Sequence, residues 1–135
     1  MNDARAIADR YFSAMGRGDA DGVLEVLAPG ADFRFPGGAM PVPDGVRPFV
    51  AGWSEAFPGN RFEIDRAVVA GDDLVVEGTW VGTHRGPMRL PDGSSIAATG
   101  KTVRVPFATV FRVRDGRIAS HHAYWDNAGM MAQLR

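Results

Sequence analysis

The chain of 135 residues contains no cysteine. That excludes disulfides, thiolate zinc sites and cysteine nucleophiles together. It also lacks net charge of either sign: 15 lysines and arginines against 16 aspartates and glutamates leave −1. No basic surface points to nucleic acid, and no acidic tail points to disorder. No apolar run approaches the roughly 20 residues needed to cross a bilayer. The first residues, "MNDARAIADRYF", are polar and mixed in charge, unlike a signal peptide. There is no phosphate-binding glycine loop, no G-x-S-x-G and no H-E-x-x-H. Internal repeats and low-complexity segments are missing too. What remains is ordinary globular composition, 45% hydrophobic and 23% charged, in a length that suits one domain spanning residues 1–135. The expectation is a soluble cytoplasmic protein with no membrane and no nucleic-acid partner.

Apolar spacing divides the chain in two. Asp3 can cap a helix in which Ala4, Ile7, Ala8, Tyr11, Phe12 and Met15 follow the i, i+3, i+4, i+7 rule, ending at "GRGD". Asp19 can cap a second helix carrying Val23, Leu24 and Leu27, stopped by Pro29-Gly30. "ADFRFP" reads as a strand with Phe33 and Phe35 on one face, and "PGGAMPVPDG" as loop. Asp44 opens a third helix with Val46, Phe49, Val50, Trp53 and Phe57 on one stripe. From Arg61 the period becomes alternating. Phe62, Ile64 and Val68 mark one strand, Leu74 to His84 a second, and "KTVRVPFATVFRV" and "RIASHHAYWD" two more joined at "RDG". Between them "RGPMRLPDGSSIAATG" is a long polar connection of a length that is usually functional or mobile. Three helices followed by antiparallel strands predict an α+β domain with the helices packed on one face of a curved sheet.

The last hairpin decides which side chains meet. A two-residue turn at "DG" places Arg114 opposite Arg117 and Thr109 opposite His122. A three-residue loop with Gly116 left-handed places Val113 opposite Arg117, and hence Thr109 opposite His121, Phe107 opposite Ala123 and Val105 opposite Trp125. The second register segregates apolar from polar residues better, with Val105, Phe107, Thr109, Phe111, His121, Ala123 and Trp125 facing in. A slip of one residue exchanges the two histidines.

"RYFSAMGRGDADGVLEVLAPGADF", "GTHRG" and "FRVRDGRIASHHAYWDNAGMMAQL", in that order and spacing, resemble the nuclear transport factor 2-like superfamily, and within it the SnoaL-like proteins related to polyketide cyclases and steroid isomerases. The resemblance covers nearly the whole chain. It implies a cone: a curved antiparallel sheet wrapped around three helices, with an apolar cavity at one end. It also implies a homodimer through the outer face of the sheet, a hydrophobic small-molecule partner such as a polyketide- or steroid-like ring system, and no cofactor. In the steroid isomerases an aspartate base, a tyrosine and a protonated aspartic acid do the chemistry. Tyr11 matches the tyrosine, while the base position falls on or beside Phe35 and the second acid on Thr109. In the polyketide cyclases the catalytic aspartate aligns with Ala123 and the histidine again with Thr109. The family's known machinery is therefore largely replaced.

His121 is the leading candidate, since imidazole titrates near neutrality; the alternative is a partly buried histidine bonded to a neighbour. Tyr11 can steady a ligand oxygen or be a core residue with a backbone partner. Asp126 is either an acid near the site or the cap of a final helical turn. His84 stands beside the long loop, at the cavity mouth or simply exposed. Phe35, Trp53, Phe107, Thr109, Ala123 and Trp125 would line an apolar binding cavity. His121 and His122, adjacent on a strand, point to opposite faces and cannot chelate one metal. The chemistry expected is proton transfer next to a carbonyl, with His121 shuttling the proton and Tyr11 holding the oxygen. The alternative is a non-catalytic binding or dimeric interaction module, which gains if Trp53, Trp125 and Met88 fill the cavity. Epoxide opening would need an aspartate–arginine–aspartate set inside it.

Overall fold

The computed structural model describes residues 3–135. Helix α1 (Ala4–Arg17) begins where the Asp3 carboxylate accepts the Ala6 N–H, and ends where Gly18 turns left-handed at φ 70°. Its buried stripe includes Ile7, Ala8, Tyr11, Phe12 and Met15. Helix α2 (Ala20–Val26) is capped by Asp19, which accepts the Gly22 N–H. Helix α3 (Val46–Ala56) departs from expectation: Gly45, not Asp44, is its cap, and no side chain caps it. The chain packs tightly there. A Cβ on Gly45 would meet Met40 Cγ at 2.6 Å and the Pro41 carbonyl oxygen at 2.9 Å, so the cap position excludes a side chain.

The strands are β1 (Leu27–Phe35), β2 (Gly38–Met40), β3 (Arg61–Ala70), β4 (Asp73–Thr83), β5 (Met88–Arg89), β6 (Ser95–Ile96), β7 (Thr102–Arg114) and β8 (Arg117–Trp125), and helix α4 (Asn127–Gln133) closes the chain. Six of them form one sheet in the order β2-β1-β8-β7-β4-β3, while β5 and β6 pair separately within the long connection. The α+β class holds, with three corrections. The sheet is mixed, because β1 lies parallel to β8. The helices number four among the described residues, since the final turn extends to seven residues. And β1 starts at Leu27, which had looked like the last apolar position of α2. Leu27 pairs with Ile118 and is buried, so sheet pairing captures it. The ladder then breaks until Asp32, in the stretch where Pro29 has no N–H to donate. The segment "PGGAMPVPDG" is not all loop, since β2 pairs its Met40 with Phe33.

The β7–β8 hairpin differs from both registers considered. Arg114 pairs with Arg117 across a two-residue turn, in which Asp115 and Gly116 have φ of 51° and 76°. That is the twist favoured for such turns. Alone it would put His122 inside. A bulge at Ala119 then adds one residue to β8, giving Phe111 opposite His121, Thr109 opposite Ala123 and Phe107 opposite Trp125. The expected partners are wrong by two residues. Side chains alternate with period two, so the expected faces are nevertheless correct. His121 is buried on the inner face, and His122 points out to Asp32, 3.0 Å away.

Candidate functional site: an aromatic pocket

Small residues on the inner face leave room beside α1. Thr109 and Ala123 face each other across β7 and β8, between the bulky layers Phe111–His121 and Phe107–Trp125. On β4, Gly78 pairs with Phe107. The result is a pocket whose buried floor includes Tyr11, Phe33, Thr109 and His121, and whose half-buried rim includes Phe35, Phe49, Trp53, Phe62 and Trp125. Within it the centre of a water molecule can move through about 70 Å³. The lining contains no aspartate, glutamate, lysine or arginine. An aspartate–arginine–aspartate set for epoxide opening is therefore not assembled. Among the described residues, no three His, Asp or Glu side chains converge as metal ligands.

His121 is packed between rings. It stacks on Phe33 at 3.9 Å and 6°, lies 4.9 Å from the Tyr11 ring, and meets the Phe111 edge at 5.2 Å. Burial away from water pushes its pKa down to about 3, because an imidazolium there has lost its hydration. The expectation of titration near neutrality is thus corrected: at physiological pH the ring is neutral and a weak base. Its Nδ1 is buried with no hydrogen-bond partner, so the alternative of a histidine satisfied by a neighbour through that atom also fails. Burial raises the Tyr11 pKa far above its ordinary value, and the phenol stays a neutral donor. That hydroxyl bonds to no other described residue.

Of the expected site residues, Tyr11, Phe35, Trp53, Phe107, Thr109, His121, Ala123 and Trp125 line this pocket. Asp126 does not. It is exposed, and its carboxylate accepts the Gly129 N–H at 2.9 Å as the cap of α4. His84 is neither at the mouth nor exposed. It is fully buried against Phe57, with Nδ1 accepting the Thr99 N–H at 3.2 Å. The long connection folds back over it, which its place beside a polar loop gave no reason to expect. Met88 packs on the core outside the lining.

Among the lining residues not expected at the site, Trp80 and Asn60 form a bonded pair. Trp80 donates from Nε1 to Asn60 Oδ1 at 2.9 Å, and Asn60 donates from Nδ2 to the Phe57 carbonyl at 2.9 Å. Trp80 was accessible to the alternation rule, since Leu74, Val76, Gly78 and Trp80 share a strand face. Asn60 was not: in "PGNRF" it reads as an ordinary turn residue.

Comparison with solved structures finds the same fold. A protein of Jannaschia sp. CCS1 assigned to the SnoaL-like polyketide cyclases superposes with a TM-score of 0.82 at 24% identity, over 97% of this chain and 90% of that one. A protein of Acidithiobacillus ferrooxidans assigned to the polyketide cyclases gives 0.79 at 25% identity, over 98% and 94%. IdmH of Streptomyces antibioticus, likewise assigned, gives 0.79 at 24% identity, over 98% and 99%. None of the curated proteins compared matches the chain. A sequence profile of the SnoaL-like domain matches residues 8–121, most of the length, and on that match the chain belongs to the SnoaL-like domain family.

Proposed function

We propose that this protein binds a small, uncharged, hydrophobic molecule bearing a carbonyl or hydroxyl oxygen, and that Tyr11 donates its hydrogen bond to that oxygen. The observation that carries the reading is the Tyr11 hydroxyl, a neutral donor without a protein partner on the floor of a mostly aromatic pocket. The polyketide-cyclase assignments of the Jannaschia and Acidithiobacillus proteins support a small-molecule role. The chemistry within reach is polarisation of a carbonyl by Tyr11, the step that isomerisation and cyclisation next to a carbonyl share. Proton abstraction by the protein is disfavoured, because the lining offers no carboxylate and His121 is a weak base. The test is thermal stabilisation by simple aryl ketones and phenols. A ligand at about 100 times its dissociation constant adds roughly 2.7 kcal/mol, several degrees of Tm. Ala123→Leu, which fills the pocket, should abolish the shift. No shift with any compound would remove the binding reading.

A second copy of the chain is proposed as the partner of the outer sheet face. Val68, Val75 and Val110 lie in one cross-strand row, 53%, 41% and 38% exposed. Flanking the row, Arg66 pairs with Glu77 and Arg112 with Asp73. Each flank carries both signs, so the face can meet its own image without like-charge repulsion.

A further inference from the structure

We infer that the pocket takes a ligand of about one ring, excluding fused multi-ring compounds, and that Trp80, locked by Asn60 and Gly82, is the wall that sets this limit. The inference rests on the binding reading above and narrows it. The space open to a water centre is about 70 Å³. An engineered apolar cavity of roughly 150 Å³ holds benzene, and pockets for drug-sized ligands run to roughly 300–1,000 Å³. A single ring therefore enters with modest movement of the rim, whereas a four-ring skeleton needs a wall to be displaced.

The walls differ in how freely they move. Trp53 and Trp125 at the rim are half-buried; they meet edge-on at 6.1 Å, and the Trp125 indole donates its one hydrogen bond, of 3.2 Å, to exposed Asn127. Trp80 is fixed on several sides. Its Nε1 is tied to Asn60, itself buried and tied to the Phe57 carbonyl. Its ring meets Trp53 edge-on at 5.3 Å and Phe57 at 4.9 Å. The far end of the indole rests on Gly82, where a Cβ would lie 2.8 Å from Trp80 Cη2 and 3.0 Å from Phe57 Cδ1. Swinging the indole aside breaks a buried hydrogen bond, and the place it occupies exists because residue 82 has no side chain. Sequence position 82 thus acts on ligand size without touching the ligand.

The test is calorimetric titration with acetophenone, 2-acetylnaphthalene and a four-ring steroid ketone, on wild type, Trp80→Ala, Trp80→Phe and Gly82→Ala, each checked for native circular dichroism. Wild type should bind acetophenone at least tenfold more tightly than the steroid ketone. Trp80→Ala should bind acetylnaphthalene at least tenfold more tightly than wild type does, with Trp80→Phe, the milder replacement, shifting in the same direction. Gly82→Ala should push the indole inward and weaken acetophenone severalfold. Wild type binding the steroid ketone as tightly as acetophenone overturns the size limit and leaves the binding reading intact. An unchanged size order in both Trp80 variants removes Trp80 from its role. If no compound binds any of the four proteins, the binding reading itself falls.

Discussion

Replacing His121 with Phe should change the pH dependence of stability by a calculable amount. Phenylalanine keeps the stack on Phe33 and removes the titration. In the folded chain the His121 pKa is about 3; in the unfolded chain it is near 6.5. A histidine with a depressed folded pKa contributes its full stability above pH 6.5, and loses it as pH falls toward 3. Between pH 7 and pH 5 the unfolded chain takes up most of a proton that the native chain refuses. Integrating that uptake gives a loss of about 2 kcal/mol. Other groups titrate identically in both proteins. The carboxylates held low by hydrogen bonds and arginine partners, such as Asp73 beside Arg112 and Glu63 beside Arg104, act below this window. Urea unfolding of both proteins at pH 7 and pH 5 measures the difference directly. The variant should gain about 2 kcal/mol on wild type between the two. A difference that stays constant within about 0.5 kcal/mol, the usual scale of additivity error, would show that His121 keeps an ordinary pKa and refute the buried, neutral imidazole.

Tyr11→Phe should leave the unliganded protein's stability within about 1 kcal/mol, since the hydroxyl it removes has no protein partner, and weaken the best ligand about two- to tenfold; melting curves and titration report the two effects separately. Asn60→Leu should cost about 1–3 kcal/mol by stranding the buried Trp80 N–H, read from urea midpoints. Gly78→Ala should cost about 1–3 kcal/mol, because its Cβ would stand 2.2 Å from the Glu63 carbonyl oxygen and 3.1 Å from Ile64 Cα, neither of which can step aside cheaply. Val75→Glu should make the chain monomeric in sedimentation at concentrations where wild type sediments as a dimer, and a wild type that is already monomeric removes the outer-face proposal.

The helices and the inner strand faces were legible because period and caps are local. Asp3 and Asp19 each sit one residue before an apolar stripe, and both make the cap they announce. The parallel β1–β8 pair was not legible, because pairing between residues as far apart as Phe33 and His121 leaves no mark in spacing. Neither was the bulge at Ala119, an alanine like any other until Arg114 and Arg117 are seen to close a two-residue turn. Errors of that kind come in ones and twos. The turn alone is off by one from the register expected, and the bulge makes it two, so His121 arrives where the apolar segregation had put it. Chemistry was less legible than placement. The free pKa of imidazole suggested a base, and only the rings of Phe33, Tyr11 and Phe111 around it turn that base into a neutral side chain.

This leaves the question of why a core so aromatic keeps polar atoms on its floor. Some buried polar atoms here are answered: Asn60 serves Trp80 and Phe57, and His84 accepts the Thr99 N–H through Nδ1, while its Nε2, outside the pocket lining, is buried without a partner. Tyr11 and His121 differ in lining the pocket. The Tyr11 hydroxyl has no described partner, and His121 Nδ1 is buried unpaired. An unsatisfied buried group such as His121 Nδ1 costs about 1–3 kcal/mol. Phenylalanine at both positions would fill similar volume among Phe12, Phe33 and Phe111 and avoid that cost. A stability explanation therefore runs the wrong way at His121 and gives no reason for the Tyr11 hydroxyl, while it suffices for the aromatic walls. A Tyr11→Phe variant that keeps its stability and loses ligand affinity is what separates the two accounts. An equally stable variant with undiminished affinity would mean that the hydroxyl serves neither the fold nor the ligand.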